Sequence, residues 1–161
     1  MIVFEDRIED LINLIPNING FKTHFYWGKD GKDVNRYLVS NDSPYPFVFL
    51  TQGTERGDVS AKEVLRDCRF ILACQEFDLD KMNDQRLLDS YKDFLNPLAA
   101  YMLELFDVST ISRINEGKYR LKRVPNYSES NENPQIDKWD VIVLELELVL
   151  NNNCLKPIVW E

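Results

Sequence analysis

Trp139-Asp140-Val141-Ile142-Val143-Leu144-Glu145-Leu146-Glu147-Leu148-Val149-Leu150 carries the cleanest period-two pattern in the chain. Ile142, Leu144, Leu146, Leu148 and Leu150 share one apolar face, and Glu145 and Glu147 sit on the other. Successive side chains of a strand point to opposite faces of its sheet, so the stretch predicts a core strand with one face in the interior. Asn151-Asn152-Asn153 ends it. Upstream, Lys118 to Val124 reads as a second strand in which Lys118, Arg120 and Lys122 alternate as the two glutamates do. If these strands pair as a hairpin, bases meet acids across it, at about 0.2–1 kcal/mol per pair. Such a charge ladder is favoured over a catalytic pair, although two carboxylates about 6.6 Å apart by strand rise match a spacing used by glycosidases. The polar, Pro- and Asn-rich residues 125–137 form a long connection, of the kind that is usually functional or mobile.

Working further outward, Cys68, Phe70, Leu72 and Cys74 alternate within Val64 to Phe77, which predicts a long strand, although Val64, Leu65, Ile71 and Leu72 tolerate a helix. Asn83 to Asp107 carries a helical stripe that includes Leu87, Tyr91, Leu95, Leu98, Met102 and Phe106. Asn96-Pro97 lies inside it and suits an N-cap followed by a first helical residue, so the stripe is one kinked helix or two end-to-end helices. Phe4, Ile8, Leu11, Ile12 and Ile15 keep helical spacing and predict a first helix over about residues 2–15, ended by Pro16. Phe21 to Trp27 and Val34 to Ser40 flank the Gly/Asp cluster from Gly28 to Asp33 and read as a hairpin. Tyr45 to Leu50 is a third strand, and residues 51–62 a loop. Together these predict a single domain, 1–161, of the α+β class. Its sheet is single and mainly antiparallel, with the N-terminal helix and the 83–107 helical segment packed on one face.

The 161 residues suit one core, and a domain of that size hides roughly 68–70% of the surface its unfolded chain exposes. A net charge of −8 disfavours nonspecific binding to nucleic acid or anionic membranes, because phosphate affinity is built from clustered Lys and Arg. The stretch from Arg113 to Arg123 has a local positive excess, for which a solvated strand is favoured over a DNA-binding face. The first residues lack a basic segment before an apolar one, and the longest apolar run, Leu98 to Leu103, is far short of the roughly 20 residues a spanning helix needs. A cytosolic protein with no membrane span is expected, and its three cysteines are expected to be reduced thiols used as small apolar side chains. One histidine, His24, excludes a His-based zinc cluster. The six glycines make no phosphate-binding loop. Asp78 to Asn83 begins like a calcium loop, but Met82 takes a ligand position and Asn83 replaces the turn glycine. No metal, cofactor or catalytic residue is expected.

Asn126-Tyr127-Ser128-Glu129-Ser130, Ile136-Asp137-Lys138-Trp139-Asp140, the Leu/Glu alternation and Asn151-Asn152-Asn153-Cys154-Leu155 together resemble small proteins of phage and prophage tail-assembly clusters. Those proteins are similar to tail-completion, or tail-terminator, subunits. The resemblance rests mostly on the C-terminal third and on the order of elements along the chain. It implies a non-enzymatic structural role: a homo-oligomeric, commonly six-membered ring at the end of the tail tube. Such a ring stops tube polymerisation and joins the tail to the head connector, in the bacterial cytoplasm during assembly and later in the virion tail. On that reading the 51–62 and 125–137 loops reach neighbouring subunits or the tube, through Glu55, Arg56, Asp58, Tyr127, Glu129, Asn131 and Glu132. An acidic immunity or inhibitor protein that binds a basic partner is the alternative, since a negative field would speed that association.

Overall fold

The computed structural model describes residues 4–29, 31–40, 44–51, 53–58, 63–75, 85, 87–108, 112–127 and 139–151. In chain order the elements are α1 (Phe4–Ile12), β1 (His24–Gly28), α2 (Gly31–Ser40), β2 (Phe47–Thr51), β3 (Glu55–Asp58) and β4 (Glu63–Gln75). They are followed by α3 (Leu87–Leu95), α4 (Asn96–Val108), β5 (Ser112–Tyr127) and β6 (Trp139–Asn151). Six strands make one sheet in the order β1-β2-β4-β6-β5, with β3 alongside the start of β4. All pairings are antiparallel except β1 with β2. The fold is α+β.

The long strands β4 and β6 form the centre, paired from Glu63 with Asn151 to Gln75 with Trp139. Their even-numbered residues point to one face, where Cys68, Phe70, Leu72, Ile142, Leu144, Leu146, Leu148 and Leu150 are all buried. The apolar stripes of α1, α3 and α4 close over this face: Ile8, Leu11, Leu95, Leu98, Met102 and Phe106 join the same core. Removing each such side chain from water contributes roughly 1.5–3 kcal/mol, enough for the strand pattern to dictate the layer order. Burial raises the Cys68 thiol to about 12, the nearby Arg66 opposing this only in part, so it stays protonated as an apolar filler.

Helix α1 spans Phe4–Ile12 rather than about 2–15. Ile15 is still buried, but Leu14 and Ile15 donate to the carbonyls of Leu11 and Ile12, the tighter i to i+3 pattern of a helix end. Pro16 then keeps Ile15 out of the α region. The 83–107 stripe resolves into two end-to-end pieces among the described residues. Leu87–Leu95 winds as a π-helix, and an α-helix starts at Asn96, with Pro97 in the first turn, where its missing N–H costs nothing.

The expected hairpin of Phe21–Trp27 with Val34–Ser40 is replaced by a β1-α2-β2 unit. Residues 31–40 are helical, and β1 lies parallel to β2 because a helix, not a tight turn, joins them. Asp33 accepts the backbone N–H of Lys29 at 2.7 Å, closing the start of α2, and Gly28 lets the chains approach: a Cβ there would lie 2.8 Å from Asp33 Cβ. Val34 and Leu38 then face the sheet, so its second face is not bare. They cover Phe47, Phe49, Ile71, Ala73, Trp139, Val141 and Val143 in a separate core. Part of the expected 51–62 loop is also strand, since Glu55–Asp58 pairs with Glu63–Arg66.

Candidate functional site

Helix α2 covers only part of the second face. Beyond Val143 and Ile71 the odd-numbered residues of β4 and β6 turn from apolar to charged, giving Asp67, Arg69, Glu145 and Glu147. With Thr51 and Gly53 at one wall and Lys118 and Arg120 at the other, they line a groove of about 820 Å³. A second depression, of about 600 Å³, shares Arg69, Arg120 and Glu145 and extends past Lys122 and Val124 to Tyr127. Gly53 is required at the wall, since a Cβ there would meet the Asp67 carbonyl oxygen at 2.2 Å.

The floor is held by pairs of opposite charge. Arg56 of β3 contacts Glu147 and lies 3.8 Å from Asp67. Asn115 also donates to Glu147. Arg69 donates to the Tyr127 hydroxyl at 2.5 Å, with its guanidinium 6.0 Å from the centre of that ring. The Thr51 hydroxyl donates to the Arg69 carbonyl at 3.3 Å. Glu145 and Glu147 thus each lie beside an arginine.

The β5–β6 hairpin does not form the full expected ladder. Arg120 stands opposite Glu145 and contacts it at 3.6 Å, whereas Lys122 faces Val143. Lys118 pairs with Glu116 at 2.9 Å instead of meeting Glu147. The reason is an irregularity in β5. Ile114 faces Leu148 and Tyr119 faces Leu146, so five steps along β5 match two along β6. Glu116 and Gly117 take φ of 55° and 64° in this bulge, which throws Lys118 out of register. Reversing Glu145 to lysine should therefore cost under about 1 kcal/mol, given the 88% exposed Arg120 side chain, and Arg120→Glu should recover part of it. Urea titrations of the four proteins check this; additive losses would exclude coupling.

The expected interface residues fall in three groups. Glu55 and Arg56 are exposed on β3, Glu55 reaching to 3.8 Å from Arg66, and Asp58 lies opposite Glu63 in the β3–β4 register. Tyr127 ends β5 and borders the second depression. Glu129, Asn131 and Glu132 lie outside the described residues. Asp67 and Arg69 were missed by the sequence reading, although they occupy the alternate positions of the same period-two pattern that marks Cys68 and Phe70 as core. Among the described residues no group of His, Cys, Asp or Glu side chains is arranged to hold a metal ion, and no helix is long and apolar enough to cross a membrane. No protein-family model matches the chain, and no curated protein matches it significantly.

Proposed function

We propose that this protein is a structural tail-completion subunit of a phage or prophage. Copies form a ring, commonly of six, on the end of the tail tube, stop its polymerisation and present a surface to the head connector. The observation that carries this reading is the broad sheet face beside α2. It is open to solvent, holds charges of both signs in pairs and extends to Tyr127 at the end of β5, a surface suited to a protein partner rather than to enclosing a small substrate. The C-terminal segment that resembles tail-completion proteins includes β6 and the end of β5, so the resemblance and the surface coincide in the fold. The role needs no cofactor, and places the protein in the host cytoplasm during assembly and in the virion tail afterwards.

Co-assembly with the tail tube protein of the same gene cluster tests the proposal. Wild type should cap tubes at fixed length in electron micrographs. A variant with residues 127–133 replaced by a short Gly/Ser link should fold, by circular dichroism, yet leave overlong or uncapped tubes. Tubes of normal length in the complete absence of the protein would reject the role. The exposed acids of α1 and α4, among them Asp10 and Glu104, favour one second reading, an inhibitor of a basic protein. A basic product of an adjacent gene, bound tightly and in a salt-dependent manner, would support it.

A further inference from the structure

We propose that the cavity at the end of the sheet where β4 stops and β6 starts binds an alkylammonium group, of a free amine or of a lysine side chain. It measures about 260 Å³, and its described lining includes Phe21, Tyr45, Cys74, Asp89, Ser90 and Phe94. It shares no described residue with the charged groove or the second depression. That volume suits a small amine or one side chain rather than a drug-sized molecule. The polar groups select the charge of the occupant. Asp89 is charged, and no Lys, Arg or His is among the described lining residues. Gln85 Nε2 donates to its carboxylate, 3.1 and 3.0 Å from the two oxygens. The buried Ser90 hydroxyl donates at 2.9 Å to Asp140, a fully buried carboxylate opposite Cys74 in the β4–β6 register. A hydroxyl has one proton to give, so toward the cavity Ser90 Oγ can only accept. The Gln75 amide, also in the lining, both donates and accepts and does not bias the choice. A group that donates hydrogen bonds and carries positive charge therefore matches Asp89 and Ser90 together.

Aromatic rings supply the rest, since a ring attracts an ammonium held within about 6 Å of its centroid. Phe21 and Phe94 pack with ring centroids 5.9 Å apart, and the Tyr45 hydroxyl accepts the Trp139 indole N–H at 2.8 Å. Phe21 is 53% exposed, yet it is anchored. Ile18 and Phe21 exchange backbone hydrogen bonds of 2.9 and 3.0 Å across a tight turn. Asn19 in that turn, at a φ of 49°, donates its side-chain amide to the Asp93 carbonyl of α3 at 3.0 Å. The winding of α3 places the other groups. In an α-helix, positions five apart stand about 140° from one another around the axis. The π-helix of α3 bonds each N–H five residues back, which brings such positions nearly over one another, so Asp89 and Phe94 reach the same cavity. Short π segments are frequent at functional sites for this reason of re-aimed side chains. The site goes beyond the tail-completion reading and does not depend on it.

Amide NMR of the isotopically labelled full-length protein tests it, by titration with n-butylammonium and with n-butanol at matched ionic strength. The amine should saturate with a Kd of about 1 mM and shift amides around residues 21, 45, 89, 90 and 94. Butanol has the same stem without the charge and should bind at least about tenfold more weakly. Asp89→Asn keeps the shape of the side chain and removes its charge; it should weaken the amine about three- to tenfold, with Tm close to wild type. Phe21→Ala, at an exposed position, should weaken it by a similar factor and decides the matter alone should Asp89→Asn fail to fold. N-acetyl-lysine methylamide separates the two sources. Binding as tight as that of butylammonium assigns the site to a lysine side chain of a partner, whereas failure of this larger probe assigns it to a free amine. No saturable shift by about 50 mM amine would overturn the proposal. So would butanol that binds as tightly as the amine, or folded variants that bind the amine like wild type.

Discussion

Leu146→Ala should lower the free energy of unfolding by about 2–5 kcal/mol, the loss expected when a core leucine is truncated and its surroundings collapse only in part. Leu146 is buried on β6 between Cys68 of β4 and Tyr119 of β5, in the core that α1, α3 and α4 close. Its β4 neighbours are paired along 13 residues on the other side, so the backbone has little room to move into the space left behind. Glu145→Ala, one position away, turns to the opposite face and should cost under about 1 kcal/mol, because only a solvent-screened pair with Arg120 is lost. Urea unfolding followed by tryptophan fluorescence measures both. A loss below about 0.5 kcal/mol at Leu146 would mean that the strand sits one residue out of register, since a one-residue slip exchanges the two faces.

The same alternation explains how far the fold could be read from the chain. β6 and β4 were legible because each buries one face against helices, which leaves a strict period of two in the residues. The β1-α2-β2 unit was not. Val34, Tyr37 and Val39 are residue types enriched in strands, while Val34, Tyr37 and Leu38 fit a helical period, and over so short a stretch sequence alone does not decide. Packing decides it: Val34 and Leu38 reach a buried patch formed by strands far away in sequence, and the Gly/Asp cluster that suggests a turn contains the aspartate that closes the start of the helix. The charged groove was half legible. The residue types of the ladder were visible, but its register depends on the bulge at Glu116 and Gly117, whose positive φ values no hydrophobic pattern announces.

Arg66 is the residue that sequence reading had least reason to single out, and Arg66→Ala should destabilise the protein by about 3–5 kcal/mol. It lies on the apolar face of β4 between Val64 and Cys68, and its side chain is 4% exposed. Its guanidinium contacts Glu5 of α1, stands 4.8 Å from the centre of the Phe4 ring and donates to the Thr51 carbonyl at 3.4 Å. The pair joins residues 61 positions apart and pins the first turn of α1 to the sheet. Alanine would strip Glu5, whose side chain is 17% exposed, of its cation and open a void beneath Phe4. Arg66→Met fills most of that void but still strands the carboxylate. Adding Glu5→Met should therefore recover much of the loss, since replacing both members of a buried pair by apolar groups is often neutral or better. If the pair is the anchor, amide exchange in residues 4–12 should accelerate in Arg66→Ala well before exchange in β4 and β6 does. Independent, additive losses at Glu5 and Arg66, or a cost below about 1 kcal/mol for Arg66→Ala, would mean that α1 is held by its apolar stripe alone.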